Sequence, residues 1–229
     1  MGGGTIDHAA LLKFLGFGNP GAEAVFIGME EGLTLPPSLE EQLAIRSTFP
    51  RLMDLQESAA AHPDKYLGCD RPPIQRTWNT IIRVLLALER NEQPTNDEIR
   101  GYQGRRLGRT KERGALLELM PLPSKNIGTW PYAEIFTDFP DRDIYLSRML
   151  PLRLIQLREH LRYGPKIVIA YGKSYWNHYS ALFDDIRQWD TRGRFQIGVS
   201  CGTKVILTPH FTAREMNGAV PALLDLVRA

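Results

Sequence analysis

Four short apolar segments, separated by stretches with helical spacing, constrain the fold of this chain more than any other feature. They span residues 24–28, 115–120, 166–170 and 204–208. Short, nearly continuous apolar runs are typical of strands that are buried on both faces of a sheet. Strands that alternate with helices predict a parallel sheet with helices on both faces. The sequence therefore predicts an α/β fold, with three α/β/α layers around a four-stranded parallel central sheet.

The stretches between these segments carry the spacing and the end signals of helices. Ser38, with Glu41 three residues later, forms a capping-box pattern, and Thr77 is a candidate cap for the clearest helix. Residues 94–98 are interpreted as a break between elements. The length of 229 residues fits one domain, residues 1–229. We expect helices over residues 6–17, 38–61 with a break at Pro50, 77–89, 141–163 with a kink at Pro151, 174–183 and 213–228.

Composition argues against several classes of function. The chain has only two cysteines, Cys69 and Cys201, whereas an iron–sulfur cluster usually takes four thiolates. With five scattered histidines they also make a poor zinc site, so we expect no metal and no cofactor. Cys201, in a Cys-Gly turn before the last strand, is interpreted as a buried structural thiol rather than a nucleophile. With so few cysteines, we expect a protein of the reducing cytoplasm. We expect no membrane partner, because no apolar run approaches the ~18 residues that span a membrane.

Charge is distributed unevenly along the chain. Residues 1–70 contain four Lys or Arg and ten Asp or Glu, a net charge of −6, whereas residues 71–229 have a net charge of +8. A basic run can neutralise nucleic-acid phosphates, and the alternative is an ordinary solvated loop or helix face. The basic excess peaks at Arg100, Arg105, Arg106, Arg109, Lys111 and Arg113.

Polar residues follow the first and the last apolar segments. Glu30 and Glu31 lie in a Gly-bracketed turn after residues 24–28, and His210 follows residues 204–208 and Pro209. The carboxyl ends of parallel strands meet at one edge of a sheet, so we expect these side chains to lie close together. Two carboxylates in one tight turn repel each other, which predicts a raised pKa for at least one of them if buried. The pattern predicts a catalytic site. The alternative interpretations are that the carboxylates face water and that the histidine has a structural role.

The turn after the third apolar segment resembles a phosphate loop only superficially. Gly172, Lys173 and Ser174 follow residues 166–170, but the phosphate-loop motif requires a glycine five residues before Gly172, where this chain has Ile167. This excludes a nucleoside-triphosphate site. A single phosphate could still bind to the backbone N–H groups of the turn and to Lys173.

These motifs together resemble those of the uracil-DNA glycosylase superfamily. The turn Gly28-Met-Glu-Glu-Gly32 is similar to the family's Gly-Met-Asn-Pro-Gly turn, with Glu30 at the catalytic position. His210-Phe-Thr is similar to the family's His-Pro-Ser motif, and residues 166–174 are similar to its third strand and Gly turn. The resemblance implies a monomeric, monofunctional DNA glycosylase that hydrolyses the N-glycosidic bond of uracil or a related damaged base, in single- or double-stranded DNA.

The resemblance also implies roles for individual residues. Glu30 would hold the attacking water and offset the positive charge of the sugar, and His210 would donate a hydrogen bond to the base. Phe49 would stack on the flipped base, and Arg214 or Met216 would fill the vacated stack. The implied base pocket comprises Gly28, Met29, Glu31, Gly32, Phe49 and Leu119. The implied DNA contacts comprise Ser124, Lys173, Ser174, Thr212, Arg214, Met216, Arg105, Arg106 and Arg109.

Three positions depart from the family pattern. Glu31 replaces a proline, Gly32 replaces the tyrosine that blocks the thymine methyl in the strictest uracil enzymes, and Leu119 falls where an asparagine reads the uracil edge. A pocket without a gate or a polar reader predicts activity beyond uracil. The departures leave two alternatives, a catalytically inactive nucleic-acid-binding relative and an enzyme that acts on free nucleosides or small phosphates.

Overall fold

The computed structural model describes residues 6–33, 38–61, 66–67, 69, 71–126 and 128–229. The strands in these ranges are β1 Gly16–Gly18, β2 Ala24–Gly28, β3 Leu52–Met53, β4 Gly114–Glu118, β5 Ile167–Tyr171, β6 Asp190–Arg192, β7 Phe195–Ser200 and β8 Thr203–Thr208. The α-helices are α1 His8–Lys13, α2 Leu39–Arg46, α3 Leu55–Ala61, α4 Arg76–Glu89, α5 Asn96–Arg105, α6 Arg142–Leu161, α7 Trp176–Ser180 and α8 Val220–Arg228. Short 3-10 helices cover Lys173–Tyr175 and Arg214–Met216.

The strands form one mixed sheet in the order β3-β1-β4-β2-β5-β8-β7-β6. Its middle strands, β4, β2, β5 and β8, are parallel and correspond to the four predicted segments. The α/β class is therefore confirmed, but the prediction of a purely four-stranded parallel sheet is wrong. β1 runs antiparallel to β4, and β7 and β6 extend the other side as an antiparallel hairpin. The added strands escaped prediction because none is a long apolar run. β1, β3 and β6 have two or three residues each, and only two of the six residues of β7 are buried.

The central strands are apolar throughout because successive side chains enter two different cores. On one face, Phe26 and its neighbours pack with apolar residues of α4 and α8, such as Leu85 and Leu223. On the other face, Ile27 and its neighbours pack with residues of α1, α2, α6 and α7, such as Tyr145 of α6. Helices therefore cover both faces of the sheet, in three layers.

The predicted helix over residues 38–61 is interrupted, as expected, near Pro50. The capping box of Ser38 and Glu41 is present at the start of α2. The chain then leaves the helix, adds β3 to the sheet and re-enters a helix at α3. Pairing of β3 with β1 explains why residues with helical spacing adopt an extended conformation here.

Other predicted helix ends were shifted by tertiary contacts. The helix predicted over residues 6–17 ends at Lys13 because Leu15 joins the sheet region through backbone hydrogen bonds with Arg51 and Glu118. The cap of α4 is Gln75, whose side chain accepts from the Trp78 N–H, rather than Thr77. The break predicted at residues 94–98 is confirmed as the boundary before α5, which begins with a capping box of Thr95 and Glu98, but the helix α5 itself was not predicted.

The prediction of a buried thiol at Cys201 was wrong. Cys201 is exposed in the turn between β7 and β8, with φ of 47°. Its N–H donates to Asp185 at 3.1 Å, which anchors the turn without burying the sulfur. In the described part of the chain, no helix has the length and apolar character needed to cross a membrane.

Candidate functional site

The carboxyl ends of the parallel strands place the candidate residues along one edge of the sheet. β4, β2, β5 and β8 end there in that spatial order, so the turn with Glu30 and the segment with His210 leave the same edge. Tyr171, the last residue of β5, lies between them. Its ring centroid is 5.5 Å from that of His210. Tyr171 thus links the histidine to the end of β2.

Gly28, at the end of β2, is surrounded so closely that no side chain fits. A Cβ at this position would lie 2.6 Å from the Tyr171 hydroxyl oxygen and 2.7 Å from Glu118 Oε2. Glu118 ends β4 and pairs directly with Gly28 in the sheet register. The glycine therefore allows a tyrosine hydroxyl and a carboxyl group to converge over the end of β2.

Glu30 is buried and held by an arginine from α6. Arg142 Nη2 donates to both carboxylate oxygens, at 2.7 and 2.8 Å, and the two side chains are 9% and 11% exposed. Burial raises the pKa of Glu30, and the hydrogen bond and the charge of Arg142 oppose this shift. The predicted rise of one carboxyl pKa in the turn is therefore confirmed, but burial causes it rather than repulsion by Glu31.

Glu31 turns away from Glu30 to a different arginine. Its Oε2 accepts from Arg46 Nη1 of α2 at 2.8 Å, and its backbone oxygen accepts from the Ser124 N–H at 2.9 Å. The Arg46 guanidinium also lies over the Phe14 ring, 5.1 Å from its centroid. Each carboxylate of the turn thus has its own positively charged partner.

Glu118 is the carboxyl group that the sequence analysis missed. Its Oε2 atom is buried and has no hydrogen-bond partner among the described residues. Burial raises the pKa of Glu118 well above its usual range, and the charges of Glu31 and Glu30 raise it further, against Arg46 and Arg153. The carboxyl group is therefore held toward its neutral form. A single charged residue inside an otherwise apolar strand segment was the available signal.

A half-buried tyrosine lies beside the Glu30–Arg142 pair. Burial raises the pKa of Tyr175, and the Glu30 charge adds to this rise while Arg142 opposes it. Arg142 Nη1 is buried, and its geometry gives it no hydrogen-bond partner among the described residues, although Tyr175 lies close enough for Arg142 to lower the tyrosine pKa. Neither Arg142 nor Tyr175 carried a local sequence signal that separated it from other helix residues.

His210 has the geometry of a neutral imidazole that donates from Nε2. Its Nδ1 lies 2.8 Å from Thr212 Oγ1 and accepts from the Thr212 N–H at 3.3 Å. A ring nitrogen that accepts a hydrogen bond carries no proton, so the proton of the neutral ring resides on Nε2. Desolvation of the ring lowers the pKa of His210, although the residue as a whole stays exposed.

The remaining residues of the implied base pocket fall into two groups. Leu119 is fully buried, its N–H donates to the Gly28 oxygen and its oxygen accepts from Arg153. Met29 is also buried. Gly32 is different, because a Cβ there would meet no atom of the described residues within 4 Å. The position where the resembled family has its gate is therefore not filled by any described side chain.

Two side chains assigned to base stacking are buried in the core instead. Phe49 packs with Phe14, with ring centroids 6.0 Å apart, on the face covered by α4 and α8. Met216 is 3% exposed in the same core. These positions correct the implied stacking roles, because neither side chain is accessible to a base. Arg214, beside Met216, is exposed.

The implied phosphate contacts differ in accessibility. Ser124 is buried, and its hydroxyl donates to the Asn126 oxygen at 2.7 Å. Ser174 and Thr212 are exposed. Lys173 is also exposed and lies 3.6 Å from Glu215, a distance typical of a weak surface pair. The turn after β5 thus leaves an amine and a hydroxyl open to solvent.

The arginine-rich run is largely neutralised by acidic partners. Arg106 binds Glu89 at 2.7 Å and Glu112 at 2.8 Å. Arg109 binds the buried Asp54 at 3.0 Å. Arg105 also interacts with a neighbour. This pairing favours the alternative of a solvated structural face over a phosphate-binding run.

Comparisons with known proteins do not assign the site. Neither the protein-family models nor the curated proteins contain a match to this chain. In the described ranges, no group of three or more His, Cys, Asp or Glu side chains has an arrangement that could hold a metal ion.

Proposed function

We propose that this protein is a monofunctional DNA glycosylase that hydrolyses the N-glycosidic bond of uracil or a related damaged base in DNA. One observation carries the proposal. A single edge of the sheet presents carboxyl groups at the ends of β2 and β4 and a neutral imidazole after β8, with Tyr171 between them. Hydrolysis of an N-glycosidic bond requires negative charge near the sugar and a hydrogen-bond donor near the departing base.

The reaction begins with a base that has left the stack, which costs a few kcal/mol. The bond between C1′ and the base nitrogen breaks, its electron pair moves to the base, and positive charge develops on the sugar. His210 Nε2–H donates to the base oxygen as its negative charge grows, which is electrostatic stabilisation of the transition state. A neutral donor suits this role because no proton has to be transferred.

Glu30 completes the reaction at the sugar. Its two oxygens share one Arg142 nitrogen, which leaves each oxygen a lone pair that can accept from water. The water oxygen bonds to C1′, the carboxylate accepts the proton, and solvent protonates the released base. Arg142 orients the carboxylate and limits the charge that this buried group carries alone.

A second candidate function is supported by the same contacts. Glu30 and Glu31 are each compensated by an arginine, as a purely structural turn would require. A catalytically inactive nucleic-acid-binding relative would retain these ion pairs without base release. The two candidates differ in their chemistry, so an activity assay separates them.

The test is base release from labelled oligonucleotides, followed by alkaline cleavage and gel separation. Substrates contain uracil, hypoxanthine or a thymine mismatch, in single- and double-stranded form. We expect base release by the wild type, a loss of about 10²–10⁴-fold in Glu30→Gln, and about 10²–10³-fold in His210→Ala. Exposed residues elsewhere provide the matched controls, Glu159→Gln and His8→Ala, which should retain activity.

The outcomes separate the candidates. No base release by the wild type from any substrate, with DNA binding that survives Glu30→Gln and His210→Ala, would identify the inactive relative. Base release that is unaffected by both substitutions would place the reaction elsewhere in the molecule. Activity on free nucleosides that DNA does not inhibit would instead support a nucleoside hydrolase.

A further inference from the structure

The β6–β7 hairpin brings an arginine to the edge that carries His210. β7 runs antiparallel to β8, and Gln196 pairs with Leu207, so β7 begins beside the carboxyl end of β8. Gly193 and Arg194 form the two-residue turn that precedes β7, and Gly193 has φ of 63°, as tight hairpin turns require. Arg194 therefore lies next to the segment that follows β8.

A cavity separates this hairpin from the segment after His210. Its volume is about 660 Å³. Arg194 on one side and Arg214 on the other are both exposed, and neither has an ion-pair partner among the described residues. The carboxylate that lines the same cavity, Glu215, lies 3.6 Å from Lys173. The cavity is lined by Gly193, Arg194, Arg214, Glu215 and Asn217.

The free arginines contrast with the other arginine of the hairpin. Arg192 binds Asp190, two residues earlier on the same strand, at 2.8 Å. Both walls of the cavity are anchored in the core, through Phe195 at 3% exposure and Met216 at 3% exposure. Two uncompensated guanidinium groups are therefore held on ordered segments that face one cavity, which lowers the entropic cost of binding an anion.

We propose that Arg194 and Arg214 form a clamp for the phosphodiester backbone of DNA, beside the catalytic edge. The identity of the partner rests on the proposed glycosylase function, and the cationic cavity rests on geometry alone. Guanidinium groups bind phosphate oxygens through paired, charge-assisted hydrogen bonds. A strand held between the hairpin and the segment after His210 passes next to the imidazole, so a flipped nucleotide can reach the edge of the sheet.

The experiment measures the salt dependence of DNA binding by fluorescence anisotropy, with undamaged single- and double-stranded oligonucleotides between 50 and 200 mM salt. The binding constant falls as salt rises, and each lost phosphate contact makes the slope of log K against log salt less negative by about one unit. We therefore expect the magnitude of this slope to fall by about one unit in Arg194→Gln and in Arg214→Gln, and by about two units in the double variant. Thermal unfolding of each variant should match the wild type, because both side chains are exposed.

Two control variants isolate the clamp. Arg162 is an exposed arginine at the end of α6, shortly before β5 begins, and therefore lies at the opposite edge of the sheet. Arg106 belongs to the arginine-rich run and is already paired with Glu89 and Glu112. Arg162→Gln and Arg106→Gln should leave the slope unchanged. Inorganic phosphate is included as a competitor at constant ionic strength. Displacement of DNA by millimolar phosphate in the wild type but not in the double variant would support the clamp. Phosphate binding that requires both arginines, together with unchanged DNA slopes in the variants, would identify a site for free phosphate rather than for a strand.

The salt dependence of DNA binding tests the clamp, and base release tests the glycosylase proposal. Unchanged slopes in Arg194→Gln and Arg214→Gln, while the wild type binds DNA, would overturn the clamp and leave the glycosylase proposal standing. Reduced slopes with no base release by the wild type would retain the clamp and reject the chemistry. A wild type that binds no DNA at 50 mM salt would overturn both.

Discussion

The candidate site, at the sheet edge formed by the carboxyl ends of the parallel strands, has two halves in which charged groups differ in pairing and exposure. At the end of β2, the Glu30 side chain is buried and the Glu31 side chain is 37% exposed, and each is paired with an arginine from a helix. At the end of β8 and in the neighbouring hairpin, Arg194 and Arg214 are exposed and unpaired in the described structure. Compensated, buried charge fixes the geometry of a reacting group, whereas uncompensated, exposed charge is available to a partner.

The largest expected effect comes from removing compensation in the acidic half. Arg142→Met leaves the Glu30 carboxylate buried beside an apolar side chain, and breaking a buried pair in this way costs about 3–5 kcal/mol. We expect this loss in the free energy of unfolding, measured by urea denaturation at pH 7. The double variant Arg142→Met/Glu30→Gln should recover much of it. A cost below about 1 kcal/mol for the single variant would show that Glu30 does not depend on Arg142.

A smaller loss of stability is expected from filling the space over the end of β2. The Cβ in Gly28→Ala would meet the Tyr171 hydroxyl at 2.6 Å and Glu118 Oε2 at 2.7 Å. Overpacking of this kind costs about 1–3 kcal/mol, and displacement of Tyr171, whose ring lies against His210, should also reduce base release. The matched control is Gly21→Ala, where the nearest atom would be 3.7 Å away. If both variants behave alike, the convergence at Gly28 has no functional consequence.

The chain's central fold could be predicted from sequence because its signal is local. The four parallel strands lie within two residues of their predicted bounds, since burial on both faces requires a continuous apolar run. The outer strands β1, β3, β6 and β7 could not be predicted in this way. Their positions depend on pairing with a distant strand, as in β1 with β4.

The candidate site could be predicted only in part, for the same reason. Glu30 and His210 stand out because each follows an apolar strand. Arg142, which holds Glu30, is 112 residues away in the chain, and no local spacing indicates this pair. The arginine-rich run shows the opposite error. Its density suggested free charge, but acidic residues such as Asp54 and Glu89 neutralise it in the folded chain.

The range of bases that the protein excises tests whether any side chain near the ends of β2 and β4 acts as a steric gate. No described side chain fills the space at Gly32, where the resembled family has a tyrosine that blocks a methyl group, and the backbone groups of Leu119 are already engaged. One methyl group in an apolar pocket is worth only about 1–3 kcal/mol of discrimination. We therefore expect excision of hypoxanthine or a 5-substituted uracil in addition to uracil, and a narrower range in Gly32→Tyr. Excision confined to uracil across this panel would mean that other residues form a gate.

The smallest expected effect concerns Glu118, the acidic group whose Oε2 has no hydrogen-bond partner in the described part of the chain. Burial raises the pKa of Glu118 in the folded protein, so in the pH range between its unfolded and folded pKa values the folded state retains a proton that the unfolded state has released. Stability is then fully present below the unfolded pKa, near 4.3, and falls as the pH rises through the folded pKa. The decrease is at most about 1.4 kcal/mol per pH unit.

Glu118→Gln removes this titratable group, so the free energy of unfolding of the variant should depend less on pH. The measurement is the free energy of unfolding of wild type and variant by urea denaturation at intervals from pH 4 to pH 8. Because Glu30 also has a raised pKa and titrates in both proteins, the difference between the two curves isolates Glu118. As the pH rises, we expect the free energy of unfolding of the variant to increase relative to that of the wild type. A constant difference would mean that the carboxyl group at the end of β4 ionises as easily in the folded chain as in the unfolded one, which would remove the contrast between a neutral Glu118 and the arginine-paired carboxylates beside it.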